Sequence, residues 1–211
     1  MIDFDHCVLH LSPRKIMGSY WPDLSRYKNN GRIYGAQLRH GAMYFNGINN
    51  EIELPRIAFP SGTIVCWVYF EDGQPSGNYG GIIKHLNGCP EKNNLYLKKD
   101  TTVLWQIRVG GEIYNHFFET PYGQRNAWHM YGIAHGETEI KFAWDGKIID
   151  THTSEGLLDG GSQNTYIGWG SYYYSYYHLL GYIGEFFLFD KILSEEEFEI
   201  LYQLTSPYGT R

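Results

Sequence analysis

The chain has 211 residues, of which 17 are Lys or Arg and 23 are Asp or Glu, so its formal net charge at pH 7 is −6. This balance argues against nucleic acid as a partner, because sequence-independent binding depends on neutralising phosphates with basic side chains. Hydrophobic residues make up 43% of the chain and charged residues 19%, which excludes disorder and coiled coil. The 19 Tyr and 25 Gly are typical of a turn-rich β protein, and we expect a single domain over residues 1–211.

The sequence shows no signal for export or for membrane insertion. Its first residues are acidic rather than basic and no apolar stretch follows them, so no secretory signal peptide is expected. The longest strongly apolar run, Ile64 to Phe70, is far shorter than the roughly 20 residues that a membrane-spanning helix needs. The three cysteines are widely spaced, which predicts neither a disulfide framework nor a zinc site. We expect Cys66 in the core and Cys89, in a polar loop, as the candidate reactive thiol.

Short segments in which apolar and polar residues alternate recur along the chain, which indicates β-strands. These segments are 42–45, 51–54, 63–70, 81–84, 95–97, 103–109, 112–118, 128–134, 139–144, 147–150, 165–169 and 182–189. In the segment 139–144, Ile140, Phe142 and Trp144 share one side, so its other face is predicted to be wet. The segment 64–70 is apolar on both sides, which predicts a central strand. So many strands predict an all-β fold, a two-sheet antiparallel β-sandwich of the jelly-roll kind.

Turns and one helix are predicted by local motifs. Asp145-Gly146 and Gly110-Gly111 each separate two strand segments, and both dipeptides suit tight hairpin turns that need positive φ. Near the carboxyl end, Ser194 and Glu197 have the spacing of a capping box, which predicts the start of a helix. The apolar face of this short C-terminal helix is formed by Phe198, Leu201 and Tyr202. We expect that face to pack on the sandwich.

A series of segments follows an order that is shared with a known family. The segments are WPDLSRYKNNGRIYG at 21–35, AMYFNGINNEIEL at 42–54, TIVCWV at 63–68, AWH at 127–129, FAWDGK at 142–147, TYIG at 165–168, GYIGEF at 181–186 and LSEEE at 193–197. Together, between residues 20 and 204, they resemble the laminin-G-like, concanavalin A-like jelly-roll domains of bacterial, viral and animal surface proteins. The resemblance agrees with the strand pattern and with the capping box.

The resemblance implies calcium as a possible cofactor, because loop-borne Asp, Asn and backbone carbonyl oxygens suit this cation. The candidate ligands are Asp23, Asn30 and Glu185, which would meet if the first and last strands are neighbours. The chain departs from the family's acidic D-G-x-D-D loop, because Asn46-Gly47-Ile48-Asn49-Asn50 replaces every carboxylate with an amide and so weakens the ligand charge. The alternative is that Asp23 begins an Asx turn and that Glu185 pairs with a cation or lines a sheet edge.

Tyrosines are concentrated between Gly170 and His178, where they alternate with Ser and Gly as in binding loops that present rigid aromatic area. We expect rings there to stack on a sugar, with help from polar groups of the loop 121–126. The candidate ligand-binding residues are Tyr172, Tyr174, Tyr176, Tyr122 and Gln124. The alternative is that half of these tyrosines point into the core while the rest cover an exposed sheet.

No catalytic motif is recognisable in the sequence. No strand carries the two closely placed carboxylates of a sandwich glycosidase, and His129 is expected to have a hydrogen-bonded structural role. We therefore expect a non-catalytic, lectin-like protein that binds a glycan or a protein surface by adhesion, outside the cell or on a particle. The rival interpretation is a structural or attachment protein of a virus or phage particle, with assembly into a homo-oligomer or a virion. The missing leader and the high tyrosine content favour the rival interpretation.

Overall fold

The computed structural model describes residues 2–73, 79–89, 92–98, 101–121, 125–169 and 177–206. The strands are β1 Cys7–Leu11, β2 Tyr20–Trp21, β3 Gly31–Tyr34, β4 Gln37–Arg39, β5 Ala42–Asn46, β6 Glu51–Leu54, β7 Gly62–Phe70, β8 Tyr79–Lys84, β9 Asn94–Lys98, β10 Thr102–Val109, β11 Glu112–Glu119, β12 Trp128–His135, β13 Glu139–Trp144, β14 Lys147–Thr153, β15 Thr165–Ile167 and β16 Leu180–Phe189. The helix α1 spans Glu195–Thr205, and short 3-10 turns lie at Phe4–His6, Pro13–Lys15 and Leu86–Gly88. In the part of the chain described, no helix is long and apolar enough to span a membrane.

The strands form two sheets of eight, as the sequence predicts. Sheet A has the order β14-β13-β12-β7-β16-β5-β4, and β1 pairs with the second half of β16. Sheet B has the order β11-β10-β9-β8-β15-β6-β3-β2. All pairings between these strands are antiparallel. The predicted antiparallel β-sandwich is therefore confirmed.

The main core lies between the sheets because alternate residues of each strand point inwards. Trp21 and Trp105 of sheet B and Phe142 and Phe186 of sheet A are fully buried in it. The prediction for β7 is correct: the strand is central in sheet A, and its side chains are buried on both faces except at Tyr69. The strand β7 therefore contributes side chains to two layers, one inside the sandwich and one on the outer face of sheet A.

A second, smaller core lies on the outer face of sheet A, where α1 packs. Phe198 and Leu201 of the helix bury against Val65 and Trp67 of β7. The capping box is present, because Ser194 accepts from the Glu197 amide while the Glu197 carboxylate accepts from the Ser194 amide. The Trp67 indole also donates to the Thr205 hydroxyl at 2.7 Å. The helix therefore covers the side chains of β7 that point away from the interior of the sandwich.

Both predicted hairpins form, with the backbone angles that the dipeptides favour. Asp145 and Gly146 have φ of 49° and 86° between β13 and β14, and Gly110 and Gly111 have φ of 58° and 89° between β10 and β11. Positive φ at two successive positions is the signature of the type I′ turn, whose twist matches that of the strands. The register of both strand pairs is therefore fixed locally.

The three cysteines are buried and form no disulfide. The prediction for Cys66 is correct, since its side chain is fully buried in β7. The prediction that Cys89 is a reactive thiol is wrong. Its side chain is 1% exposed, and burial raises the pKa of the thiol.

Candidate functional site

The predicted ligand-binding residues Tyr172, Tyr174, Tyr176, Tyr122 and Gln124 all lie outside the described residues, so their role stays a prediction. Tyr177, at the end of the same tyrosine-rich stretch, is described. Its carbonyl accepts a 2.7 Å hydrogen bond from the Gly81 amide of β8. This bond fixes the end of the stretch on sheet B.

Strand register arranges the outer face of sheet B into rows of side chains. Tyr96, Leu104 and Phe117 lie opposite one another on β9, β10 and β11. Asn94, Gln106 and Asn115 form the next row on the same face. Side chains directly opposite on neighbouring antiparallel strands touch one another. An aromatic and apolar row therefore lies beside a row of amides.

These rows and the end of the tyrosine-rich stretch enclose a surface cavity of about 320 Å³, which we call the tyrosine groove. Its lining residues are Tyr79, Lys92, Tyr96, Leu104, Gln106, Asn115, Phe117 and Tyr177. Phe117 is 48% exposed, so one edge of the groove presents an apolar ring to solvent. The groove therefore combines ring surface and polar groups in one open depression.

Three tyrosine rings form one wall of the tyrosine groove. The centroid of Tyr177 lies 5.3 Å from that of Tyr79 and 5.9 Å from that of Tyr96, and Tyr79 and Tyr96 are 6.1 Å apart. The planes are tilted or edge to face, the arrangement that aromatic rings prefer. Burial raises the pKa of Tyr96, so its hydroxyl keeps its proton at neutral pH. The three rings of the wall therefore hold one another in place.

A chain of polar groups lies in the groove beside these rings. The Lys92 ammonium donates to the Gln106 carbonyl at 3.3 Å, and the Gln106 amide nitrogen donates to the Asn115 carbonyl at 2.8 Å. Each side-chain amide has two N–H donors and two acceptor lone pairs, so this chain uses only part of its capacity. Sugar hydroxyl groups both donate and accept hydrogen bonds, so they can pair with the remaining donors and acceptors of these amides.

The outer face of sheet B continues into a buried lysine–histidine pair at the end of β8, beside β15. Lys84 lies opposite Tyr166, and its ammonium is 3.4 Å from the centroid of the Trp169 ring. The next residue, His85, is 5% exposed and has a left-handed φ of 57°. Burial, and secondly the charge of Lys84, lower the pKa of His85 to about 4. This imidazole is therefore neutral at pH 7.

A second aromatic surface, which we call the aromatic ladder, crosses the outer face of sheet A. Tyr44, Tyr182, Tyr69 and Trp128 lie opposite one another on β5, β16, β7 and β12. Successive ring centroids are 5.0, 5.9 and 5.8 Å apart, and all four rings are half-buried. A cleft of about 260 Å³ beside the ladder also includes His40 and Glu71.

Sequence reasoning identified the tyrosine-rich stretch but missed the rest of both surfaces. Gln106 and Phe117 belong to predicted strands, where their outward positions gave the only available signal, whereas Tyr79 lies before the predicted segment 81–84. The aromatic ladder left no signal in any one segment, because its rings come from four distant strands. Both surfaces depend on strand order, which the sequence pattern does not reveal.

The predicted metal ligand Asp23 is the centre of a hydrogen-bonded turn. Its carboxylate accepts from the His10 and Ser25 amides through Oδ1, and from the Ser25 hydroxyl and the Asn29 amide through Oδ2. The Asp23 amide in turn donates to the Asn30 side-chain oxygen, Oδ1, at 2.9 Å. Asp23 and Asn30 are therefore brought together, and the bond from the Ser25 amide to Asp23 Oδ1 closes the Asx turn of the alternative interpretation.

Glu185 lies close to this turn, because β1 and β16 are neighbours. Its carboxylate accepts from the Ser12 hydroxyl at 2.7 Å and lies 2.9 Å from His10 Nε2. His10 thus connects Glu185, through its ring, with Asp23, through its amide. The oxygens of both carboxylates already bond to protein donors, which a calcium ion would have to displace. These residues therefore do not fit a calcium site well, and calcium here stays a prediction.

Amides also organise the loop that departs from the family pattern. The Asn46 side-chain oxygen accepts from the amides of Ile48, Asn49 and Asn50, at 3.0 to 3.3 Å. The Asn46 side-chain nitrogen donates to Asn49 Oδ1 at 2.9 Å. Each amide side chain supplies a donor as well as an acceptor, so the loop closes on itself without a cation.

His129 has the structural role that the sequence predicts. Its Nδ1 lies 2.9 Å from the Asp145 carboxylate, and its ring stacks on Trp144 with centroids 4.2 Å apart. The residue is 6% exposed. The imidazole therefore ties β12 to the β13–β14 hairpin.

The fold is an antiparallel β-sandwich, and both of its sheets carry aromatic side chains on their outer faces. The chain matches no protein-family model and no curated protein. The laminin-G-like family assignment therefore stays a prediction.

Several solved structures share the fold. The chain is similar to the botulinum neurotoxin serotype D binding domain, with 19% identity and a TM-score of 0.74 over 95% of this chain and 52% of that one. It is similar to the binding domain of Paraclostridial Mosquitocidal Protein 1, with 17% identity and a TM-score of 0.73 over 94% and 52% of the two chains. A third structure is the serotype D ligand binding domain in complex with N-acetylneuraminic acid, with 16% identity and a TM-score of 0.70 over 95% and 51%. The chain thus spans about half the length of each of these proteins.

Proposed function

We propose that this protein is a non-catalytic glycan-binding domain and that the tyrosine groove is its binding site. The observation that carries the proposal is the placement of three tyrosine rings beside a chain of side-chain amides in one open depression. Sugar rings have apolar C–H faces and hydroxyl edges, so they are bound where aromatic faces and amide groups converge. The tyrosine-rich stretch predicted to bind a ligand ends in this groove at Tyr177.

The charge of the groove points to the class of sugar. Lys92 is the one charged side chain among the described residues that line it. An ammonium beside hydroxyl-binding amides suits an acidic sugar, whose carboxylate forms a charge-assisted hydrogen bond with it. One solved domain of the same fold forms a complex with N-acetylneuraminic acid, which is such a sugar. At 16% identity that likeness supports the class of ligand only as a hypothesis for this chain.

Glycan-array binding of the purified chain, with sialylated and neutral glycans side by side, tests the proposal. We expect selective binding, and we expect Tyr177→Ala and Gln106→Ala each to weaken it at least tenfold, which corresponds to about 1.4 kcal/mol. Tyr20→Ala is the matched control, since Tyr20 is 51% exposed on an edge strand of the same sheet. Lys92→Gln should weaken binding to acidic glycans more than to neutral ones.

One result would contradict glycan binding, and another would contradict the assignment of the site. If no glycan binds while light scattering shows a defined assembly of the chain, the glycan proposal is wrong and the particle interpretation replaces it. If glycans bind but the groove variants keep full affinity, the binding site lies elsewhere on the molecule.

A further inference from the structure

We propose that His116 and His152 form a binding site for a divalent transition metal ion such as Zn²⁺ or Ni²⁺. His116 lies on β11, the edge strand of sheet B, and His152 lies on β14, the edge strand of sheet A. Their Nδ1 atoms face each other at 3.3 Å. The two imidazoles thus meet across the gap between the sheets, on the face of β11 opposite to Asn115 and Phe117 of the tyrosine groove.

The distance between the two nitrogens suits a shared metal ion. Zinc–imidazole bonds are about 2.0–2.1 Å long, and a tetrahedral angle between two such bonds places the nitrogens about 3.3–3.4 Å apart. Imidazole nitrogen is a preferred ligand for zinc, nickel and copper. The observed 3.3 Å separation therefore agrees with two neighbouring vertices of one coordination sphere.

The carboxylates around the pair direct both Nδ1 lone pairs inwards. His116 Nε2 lies 2.9 Å from the Glu155 carboxylate, and His152 Nε2 lies 3.4 Å from that of Asp150. A carboxylate only accepts, so each favours a proton on the Nε2 that faces it. With a proton on each Nε2, two Nδ1 lone pairs point at each other, which is repulsive until a cation lies between them. Carboxylates that orient metal-binding histidines in this way are common around metal ions.

Charge and access also suit an ion at this position. The carboxylates of Glu155 and Asp150 lie beside the two rings, where they attract a divalent cation. The side chain of His152 is 31% exposed, so the pair can be reached from solvent, whereas that of His116 is 7% exposed. The ring of Phe118, 4.4 Å from that of His152, helps to hold the latter in place.

The protein supplies two ligands to this ion, and solvent completes the sphere. In the ranges that the structure describes, no group of three His, Cys, Asp or Glu side chains is placed to hold a metal ion. Two imidazoles with solvent in the remaining positions give weaker binding than a closed four-ligand site. The competing explanation is a proton shared between the two Nδ1 atoms, and it makes a different experimental prediction.

Titration of the full chain with NiCl₂ and with ZnCl₂ by isothermal calorimetry tests the proposal. We expect wild type to bind a single ion, and we expect His116→Asn and His152→Asn each to weaken binding at least tenfold. His6→Asn is the matched control, because His6 is an exposed histidine whose Nδ1 lies 2.7 Å from the Asp190 carboxylate and which has no histidine partner in the described structure. That variant should bind as wild type does.

The melting temperature provides a second readout. Zinc should raise the melting temperature of wild type and of His6→Asn but not of His152→Asn, because an ion that binds only the native state stabilises it. If His116→Asn fails to fold, the more exposed His152→Asn decides the test. The proposal is wrong if wild type binds neither ion, or if both variants bind as tightly as wild type. Absence of metal binding, with nitrogen NMR showing one proton between the Nδ1 atoms, would establish the shared-proton explanation instead.

Discussion

Tyr182 lies directly opposite Tyr69 across the β16–β7 pair, with ring centroids 5.9 Å apart and ring planes at 81°. Tyr182 also contacts the ring of Tyr44 on its other side, and its centroid is 6.3 Å from that of Trp128. Because register fixes all four rings of the aromatic ladder, the ladder links four strands of sheet A on the solvent side. This surface therefore contributes to stability whether or not it binds a ligand.

Removal of the central ring should destabilise the fold. Aromatic pairs contribute about 0.5–1.5 kcal/mol each beyond burial, so we expect Tyr182→Ala to lower the free energy of unfolding by about 1–3 kcal/mol. Urea unfolding measures the change. The control is Tyr20→Ala, which removes an exposed tyrosine of sheet B and should change stability by less than about 0.5 kcal/mol. Equal losses in the two variants would show that the ladder contributes nothing of its own.

The aromatic ladder and the tyrosine groove lie on different sheets. We expect Trp128→Ala to leave the affinity for glycans unchanged, because Trp128 belongs to sheet A while the tyrosine groove belongs to sheet B. Glycan-array binding of this variant beside Tyr177→Ala measures the difference. Loss of binding in Trp128→Ala alone would move the binding site to the ladder.

Asp23→Asn should destabilise the protein without any metal. An asparagine keeps one acceptor oxygen and places an NH₂ group where Oδ2 accepts from Ser25 and Asn29, so we expect a loss of about 1–3 kcal/mol in the free energy of unfolding. Asp5→Asn, at an exposed position, is the control. Melting temperatures in calcium and in chelator should agree for wild type. A calcium-dependent rise that Asp23→Asn abolishes would instead establish the predicted calcium site.

The pKa of His85 predicts a loss of stability in acid. Burial and the charge of Lys84 lower this pKa from an ordinary value of about 6.5 to about 4. Between these two pH values the unfolded chain binds a proton that the native chain does not, so stability falls as pH falls through this window. The contribution is on the order of 3–4 kcal/mol, since each pKa unit is worth about 1.4 kcal/mol.

The variant His85→Asn isolates this contribution. Asparagine tolerates the left-handed backbone at this position, so we expect a smaller loss of stability than in wild type between about pH 6.5 and pH 4. His40→Asn is the matched control, because His40 is exposed and also has a positive φ, of 50°. Urea unfolding at several pH values gives the slopes. If wild type and His85→Asn lose stability in parallel, burial of His85 is not the cause.

Stability should also depend on the packing of α1. Phe198 is fully buried, and its ring lies so close to Gly132 that a Cβ at that glycine would be 2.4 Å from it. We expect Phe198→Ala to cost about 3–5 kcal/mol, as is usual for the loss of a buried phenyl ring. Leu204→Ala on the same helix removes a side chain that is 68% exposed and should change stability little. Thermal unfolding compares the two, and similar melting temperatures would contradict the proposed packing.

Features that depend on near neighbours in the chain could be predicted from the sequence. The Asp145-Gly146 hairpin, the capping box at Ser194 and the central position of β7 follow from local pattern and are all confirmed. Alternation did not predict β1 to β4, because β2 to β4 have only two to four residues and β1 carries apolar residues at successive positions. β1 pairs with the distant β16, whereas β3 pairs with β2 and β6, and β4 forms a hairpin with β5.

The candidate sites depend on long-range contacts, and this is why the sequence predicts them only in part. The tyrosine groove combines rings and amides from β8 to β11, which follow one another along the chain, with Tyr177, which reaches β8 from a distant part of the chain. The histidine pair joins β11 to β14, which belong to different sheets. Spacing along the chain carries no sign of that contact.

The position of β16 in sheet A has a consequence for synthesis in the cell. Residues 180–189 lie between β7 on one side and β5 and β1 on the other, so neither half of the sheet is complete until the ribosome has made them. Until then, the nascent chain exposes unpaired, apolar strand edges, which favour aggregation. We expect translation speed and chaperone supply to set the yield of soluble protein. Limited proteolysis of ribosome-bound chains that end before residue 180 should find no protected core, and a resistant fragment there would contradict this order of folding.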